Sequence, residues 1–172
     1  AGGSLLLTAI YTSLVVWIVG LAVPVTASYI ICAVIAAPAL IKLGVPDFAA
    51  HMFIFYYAVL SEVSPPTALS PFAAAAITGG DPYKTTLQCW KYTIPAFLVP
   101  FMFVLDTSGQ GLLLMGSTKA LAVADWTSIA QVTATCAVGI ASLAVGFQGW
   151  AWLKTSFAER WMFIVAGFAL VY

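Results

Sequence analysis

The chain reads as long apolar runs divided by short polar or Gly/Pro punctuation, the pattern of helices in a bilayer. Residues 4–19 are uncharged and rich in Leu, Val and Ile, and they meet Gly20-Leu21-Ala22-Val23-Pro24. There a glycine relaxes the backbone, and a proline removes a donor and kinks or ends a helix. A second apolar run, 25–40, follows at once and ends near Lys42-Leu43-Gly44-Val45-Pro46. No charged loop separates the two runs. So short and apolar a break predicts a re-entrant helical hairpin over 4–43 in preference to two full spans.

Asp47 follows Pro46 and opens the next run with an acid in the first turn, a good helix start. That helix is interrupted by Ser64-Pro65-Pro66-Thr67 and resumes at Ala68, which predicts one broken helix over 47–78. Gly79-Gly80-Asp81-Pro82 is a turn signal. Residues 87–105 predict a span containing Pro95 and Pro100. A loop or interfacial stretch, 106–124, carries Gly109, Gly111, Gly116 and Lys119, and its Leu112-Leu113-Leu114-Met115 is expected to dip into the interface. A full span follows over 125–147. An interfacial segment, 148–160, holds Trp150 and Trp152 beside Trp161, at the depth where Trp settles. The run 161–172 is shorter than the roughly 20 residues a span requires and reads as a truncated one. The start lacks both an initiator Met and a basic signal-peptide start, so the chain is expected to begin partway through a longer polytopic protein. The fold class expected is therefore an all-α polytopic membrane protein, with 1–172 as a single transmembrane transport-domain fragment.

Composition sharpens this. Of 172 residues, 63% are hydrophobic and 7% charged, with no net charge. A soluble domain carries about 25% Asp, Glu, Lys and Arg. So few polar groups cannot cover a water-exposed surface, which sets aside soluble enzymes, nucleic-acid binders and disordered segments. Cys32, Cys89 and Cys136 lie far apart in apolar runs and form no disulfide or zinc pattern. Lys84, Lys91, Lys154 and Arg160 fall on one side of the membrane, and Lys42 and Lys119 on the other. The positive-inside rule then places the Asp81 loop and the Glu159 segment in the cytoplasm, with the hairpin opening from outside.

Chemistry is expected at two places, 20–28 and 61–67, where apolar sequence leaves backbone free of helical hydrogen bonds. In hydrocarbon such backbone survives only buried in protein or lining a wet cavity. Pro65 and Pro66 lack amides and free the preceding carbonyls, and the end of a half-helix adds negative potential. Hydroxyls of Thr26, Ser28, Ser61, Ser64 and Thr67 offer further oxygens, the ligands that a hard cation such as sodium takes. The alternative is a plain structural kink. Glu62 is the intramembrane acid and by default a functional one, as a sodium ligand, a proton carrier or a structural ion-pair partner. Asp47 is explained as a helix cap, and the lone His51 as a hydrogen-bonded packing residue. Gly139 and Gly146 suit close helix packing. No HExxH, GxSxG or P-loop motif occurs, so no enzyme activity is expected.

The run from Gly20 to Tyr29, GLAVPVTASY, resembles the hairpin tip of the large permease subunit of TRAP (tripartite ATP-independent periplasmic) transporters. The stretch AAHMFIFYYAVLSEVSPPTALSPFAAAAITGGDP, 49–82, looks like the broken helix of that family, and IPAFLVPFMFVLD, 94–106, also fits. The His, the Phe-Tyr pair and the acid before the prolines point to the fused permeases that work with TAXI-type binding proteins. The resemblance implies a multi-pass protein of the bacterial inner membrane and a sodium-driven elevator-type importer of a small organic anion. It also implies a periplasmic TAXI-type solute-binding protein as partner, together with the lipid bilayer and the upstream half of the same permease. Two inverted repeats are implied, each with a hairpin and a broken helix, of which this chain holds the second. The implied sodium site comprises Gly20, Pro24 and Thr26 at the tip, with Ser61, Ser64, Pro65 and Thr67 at the break. Ser28, Glu62 and Pro66 are implied in substrate handling or coupling. No cofactor is expected beyond sodium as the coupling ion. Two other readings compete: an ion-coupled organic anion transporter that needs no binding protein, and a non-transporting structural membrane subunit.

Overall fold

The structure, a computed structural model, describes residues 3–105 and 126–171, and the expected loop over 106–124 lies outside them. Every extended element among the described residues is a helix. The chain divides into two compact units, residues 1–93 and 94–172.

The first unit opens with α1 (Leu5–Gly20), α2 (Val25–Ile41) and α3 (Asp47–Leu60), each packed on the other two. The turn between α1 and α2 tightens rather than unravels: the Leu21 amide donates to Trp17 O at 3.1 Å and the Ala22 amide to Val19 O at 3.0 Å. Pro24, with its φ preset near the helical value, stands directly before α2. Beyond α2, Gly44 takes φ +95 and the Val45 amide reaches back to Leu40 O at 3.3 Å, closing the helix end. The seam between the three helices is built from small side chains. On α1 it uses Ala9, Thr12, Ser13 and Val16; on α2, Ser28, Cys32, Ala33 and Ala37; on α3, Ala49, Ala50 and Ala58, with Phe53 and Ile54 filling the centre. On the opposite face of α2, Val34 and Ile35 point outward, 75% and 76% exposed. Where the surroundings are lipid, this distribution is the economical one, because close approach rather than water exclusion holds helices together.

Helix α3 ends in a 3-10 turn, Ser61–Val63, after which Ser64 is extended. Ala68 adopts a left-handed conformation and starts α4 (Leu69–Thr78). Pro65 and Pro66 lie between these two helical segments. Helix α5 (Pro82–Thr93) completes the unit. It begins five residues ahead of the expected 87 because the Asp81 carboxylate accepts from the Lys84 amide at 2.9 Å and caps it. Asp47 is not a cap: Pro46 holds that position, and Asp47 Oδ1 sits 3.7 Å from His51 Nε2.

The second unit holds a 3-10 turn (Ile94–Phe97), α6 (Val99–Leu105), α7 (Trp126–Gln148) and α8 (Phe157–Val171). Helices α7 and α8 pack closely through glycines. A side chain on Gly146 would meet Arg160 O at 3.0 Å, and one on Gly167 would meet Gly139 O at 2.9 Å. The Arg160 guanidinium closes the end of α7, with Nε donating to Gly146 O at 3.0 Å and Nη2 to Phe147 O at 3.3 Å. Helix α8 starts at Phe157, ahead of the expected 161, because Ser156 and Glu159 form a reciprocal cap: the Glu159 carboxylate accepts from the Ser156 amide at 2.6 Å. Two helical runs, Pro82–Leu105 and Trp126–Gln148, are long and apolar enough to cross a membrane. In the second, 22% of the most apolar stretch is buried within the protein, far less than a soluble core helix would need.

Candidate functional site at the hairpin tip and the helix break

Helix α3 runs antiparallel to α2, which brings the break after α3 to the turn between α1 and α2. The end of α1 lies against the break at two points with matched spacing. Trp17 Nε1 donates to Ser64 Oγ at 2.9 Å. Three residues further along α1 and three back along the break, Gly20 faces Ser61 so closely that a Cβ on Gly20 would stand 2.7 Å from Ser61 Cβ and 3.3 Å from Ser28 Oγ. Only glycine fits there. Ser28, Ser61 and Ser64 are fully buried. Their hydroxyl protons are turned onto backbone: Ser61 donates to Ala58 O at 2.7 Å, Ser64 to Leu60 O at 2.9 Å and Ser28, more weakly, to Val16 O at 3.5 Å. Each buried hydroxyl is thus satisfied from its donor side, as burial requires.

Beside these contacts is a cavity of about 240 Å³, lined by the 20–24 turn on one side and by Glu62, Thr67 and Leu69 on the other. Of the ten residues expected to act, Gly20, Pro24, Glu62 and Thr67 line this one space. Ser28, Ser61 and Ser64 form the packed wall behind Gly20, Pro65 is half-buried, and Pro66 and Thr26 are exposed. Among the described residues, Glu62 is the one ionisable group in the lining, with no Lys, Arg or His beside it there. The lining is mostly apolar, and its polar side chains are the Glu62 carboxylate and the Thr67 hydroxyl, oxygen donors of the kind a hard cation takes. Among the described residues no three His, Cys, Asp or Glu side chains gather as a transition-metal site would need.

Farther from the tip, Tyr29 Oη and His51 Nδ1 are hydrogen-bonded at 2.9 Å, and Tyr29 also meets Phe55 edge-on. His51 is thus a hydrogen-bonded packing residue tying α2 to α3. Trp17 was not legible as a site residue from sequence. The signal available was an indole N–H inside an apolar run, a polar group that must find a partner when buried.

Residues 1–108 match the family described as Tripartite ATP-independent periplasmic transporter, DctM component. The chain belongs to this family. No curated protein and no solved structure matches it. The whole cavity and both segments that wall it lie inside the stretch matched to the TRAP permease. A TRAP permease is a transporter component of the inner membrane, and the family implies a periplasmic substrate-binding protein as its partner. The apolar outward face of α2 and the two membrane-length runs accord with that location.

Proposed function

We propose that this chain is the transport core of a sodium-coupled TRAP importer of the TAXI-type branch, taking up a small organic anion handed over by its periplasmic binding protein. The coupling cation is taken between the hairpin tip and the helix break. The observation that carries this reading is the cavity itself, whose one acidic or basic lining residue among those described is Glu62. An organic anion approaching that carboxylate is repelled until a cation has neutralised it. Cation first and anion second is the order that couples an ion gradient to uptake. Thr67 brings a hydroxyl to the same space from the break, and Gly20 and Pro24 line it from the hairpin tip.

The hairpin supports an elevator arrangement with re-entrant helices. Helix α1 has 16 residues and α2 has 17. At 1.5 Å per residue each is about 25 Å long, short of the roughly 30 Å hydrocarbon core. A tip ending inside the membrane needs a protein partner for its turn, and the break supplies one.

Uptake into liposomes by the full permease with its binding protein, measured against sodium concentration, tests the reading. Thr67→Val keeps the shape and removes one oxygen, and Glu62→Gln removes the charge. Loss of one buried polar partner costs about 1–3 kcal/mol, so half-saturating sodium should rise about tenfold to a hundredfold. Parental sodium dependence in both variants would place the coupling ion elsewhere.

A further inference from the structure

We propose that Trp17 is the latch of the hairpin, a positioning residue whose indole N–H holds the tip shut on the break through Ser64. The bond is 2.9 Å long and ends on a fully buried oxygen. Ser64 Oγ spends its own proton on Leu60 O, so its lone pairs face α1 and receive the indole. Trp17 and Gly20 are three residues apart on one helix and share a face; Ser61 and Ser64 are three apart on the break. The tip therefore seats on two adjacent points, of which Gly20 on Ser61 is pure shape and Trp17 on Ser64 is a directed bond.

The two points differ in what opening does to them. Separating Gly20 from Ser61 trades one set of van der Waals contacts for another. Lifting Trp17 away breaks a directed bond and uncovers the buried Ser64 oxygen. The closed form is thus favoured by one bond whose loss shifts the open population about fivefold to tenfold. The latch rests on the proposed transport reading only in requiring that the tip opens, and its test uses no sodium.

The full permease, with Cys32, Cys89 and Cys136 replaced by Ala, carries a single reporter, Ser61→Cys, at the buried position under Gly20. The rate of reaction with a maleimide reports how often the tip lifts. Trp17→Phe keeps the ring and removes the N–H, and labelling should speed up about fivefold to tenfold. Ser64→Ala should give a similar rise, and the double variant no further one, because both remove the same bond. An unchanged rate in Trp17→Phe, or effects that multiply in the double variant, overturns the latch. Ser28→Cys, fully buried behind Gly20, provides a second reporter under the same criteria should the first disturb folding. Faster labelling in a transporter whose sodium dependence ignores Thr67→Val keeps the latch and removes the ion site; unchanged labelling with an altered sodium dependence removes the latch alone.

Discussion

Gly20, the last residue of α1, is pressed against Ser61, the first residue of the break, with no room between them for even a methyl group. This contact joins two segments 41 positions apart in sequence, and it decides which residues can face the cavity beside it.

Gly20→Ala should therefore destabilise the purified permease by about 1–3 kcal/mol, the cost of overpacking a tight contact, and reduce uptake. Ser61→Gly in the same chain should restore stability, because it removes the atom that the new methyl strikes. Ser61→Ala should not, since its Cβ remains 2.7 Å away. Thermal unfolding and uptake on the three variants decide it, and equal rescue by both Ser61 changes would refute the packing argument.

Thr26 and Thr67 should behave differently although sequence reasoning grouped them. Thr67 lines the cavity, whereas Thr26 sits exposed on the first turn of α2. Thr26→Val should leave half-saturating sodium within about twofold of the parent, a shift below 0.5 kcal/mol by the ~1.4 kcal/mol per decade rule. A large shift would show that α2 turns this hydroxyl inward during transport.

In the second unit, Gly146→Ala should loosen the α7–α8 pair. Its methyl would approach Arg160 O at 3.0 Å and the Ile164 amide nitrogen at 3.1 Å, both backbone atoms that cannot swing aside. A loss of about 1–3 kcal/mol is expected, with Gly167→Ala similar. Unfolding of the two variants in detergent measures this, and unaltered stability in both would show that the helices can part at little cost.

Hydrogen bonds from the Ser156 amide first, and then its hydroxyl, hold the Glu159 carboxyl below the usual carboxylate range. A folded pKa lower than the unfolded one stabilises the start of α8 above the unfolded value, and that support fades as pH falls through the folded value. Amide protection factors over 156–161, each taken against the intrinsic exchange rate at the same pH, should accordingly fall on acidification below the ordinary glutamate range. Glu159→Gln should flatten the dependence, and a pH profile identical in the two proteins would contradict the assignment.

The outline of the first unit was legible because Gly and Pro punctuate it. The turn at Gly20 and Pro24, the helix starts after Pro24 and Pro46, and the break at Pro65 all follow from residues whose backbone chemistry is local. Two helix starts were misplaced for an equally local reason: the caps at Asp81 and at Ser156 with Glu159 recruit polar residues that hydropathy leaves outside the span. Trp17 with Ser64 was of another kind. Their pairing crosses 47 positions and exists only once three helices have packed, so no window along the chain contains it.

Ala9, Thr12, Ser13 and Val16 give α1 a nearly smooth bearing surface where it meets its neighbours. A seam of larger, interdigitated side chains would have to be unthreaded before α1 could shift, with rotamers turning over at every step. A shallow one lets the helix glide, and hydrocarbon flows in behind it without the penalty that water would impose. On the proposed latch, resistance to opening lies at the far end of α1, in one indole and one hydroxyl, so two residues set it while the small-residue seam stays untouched.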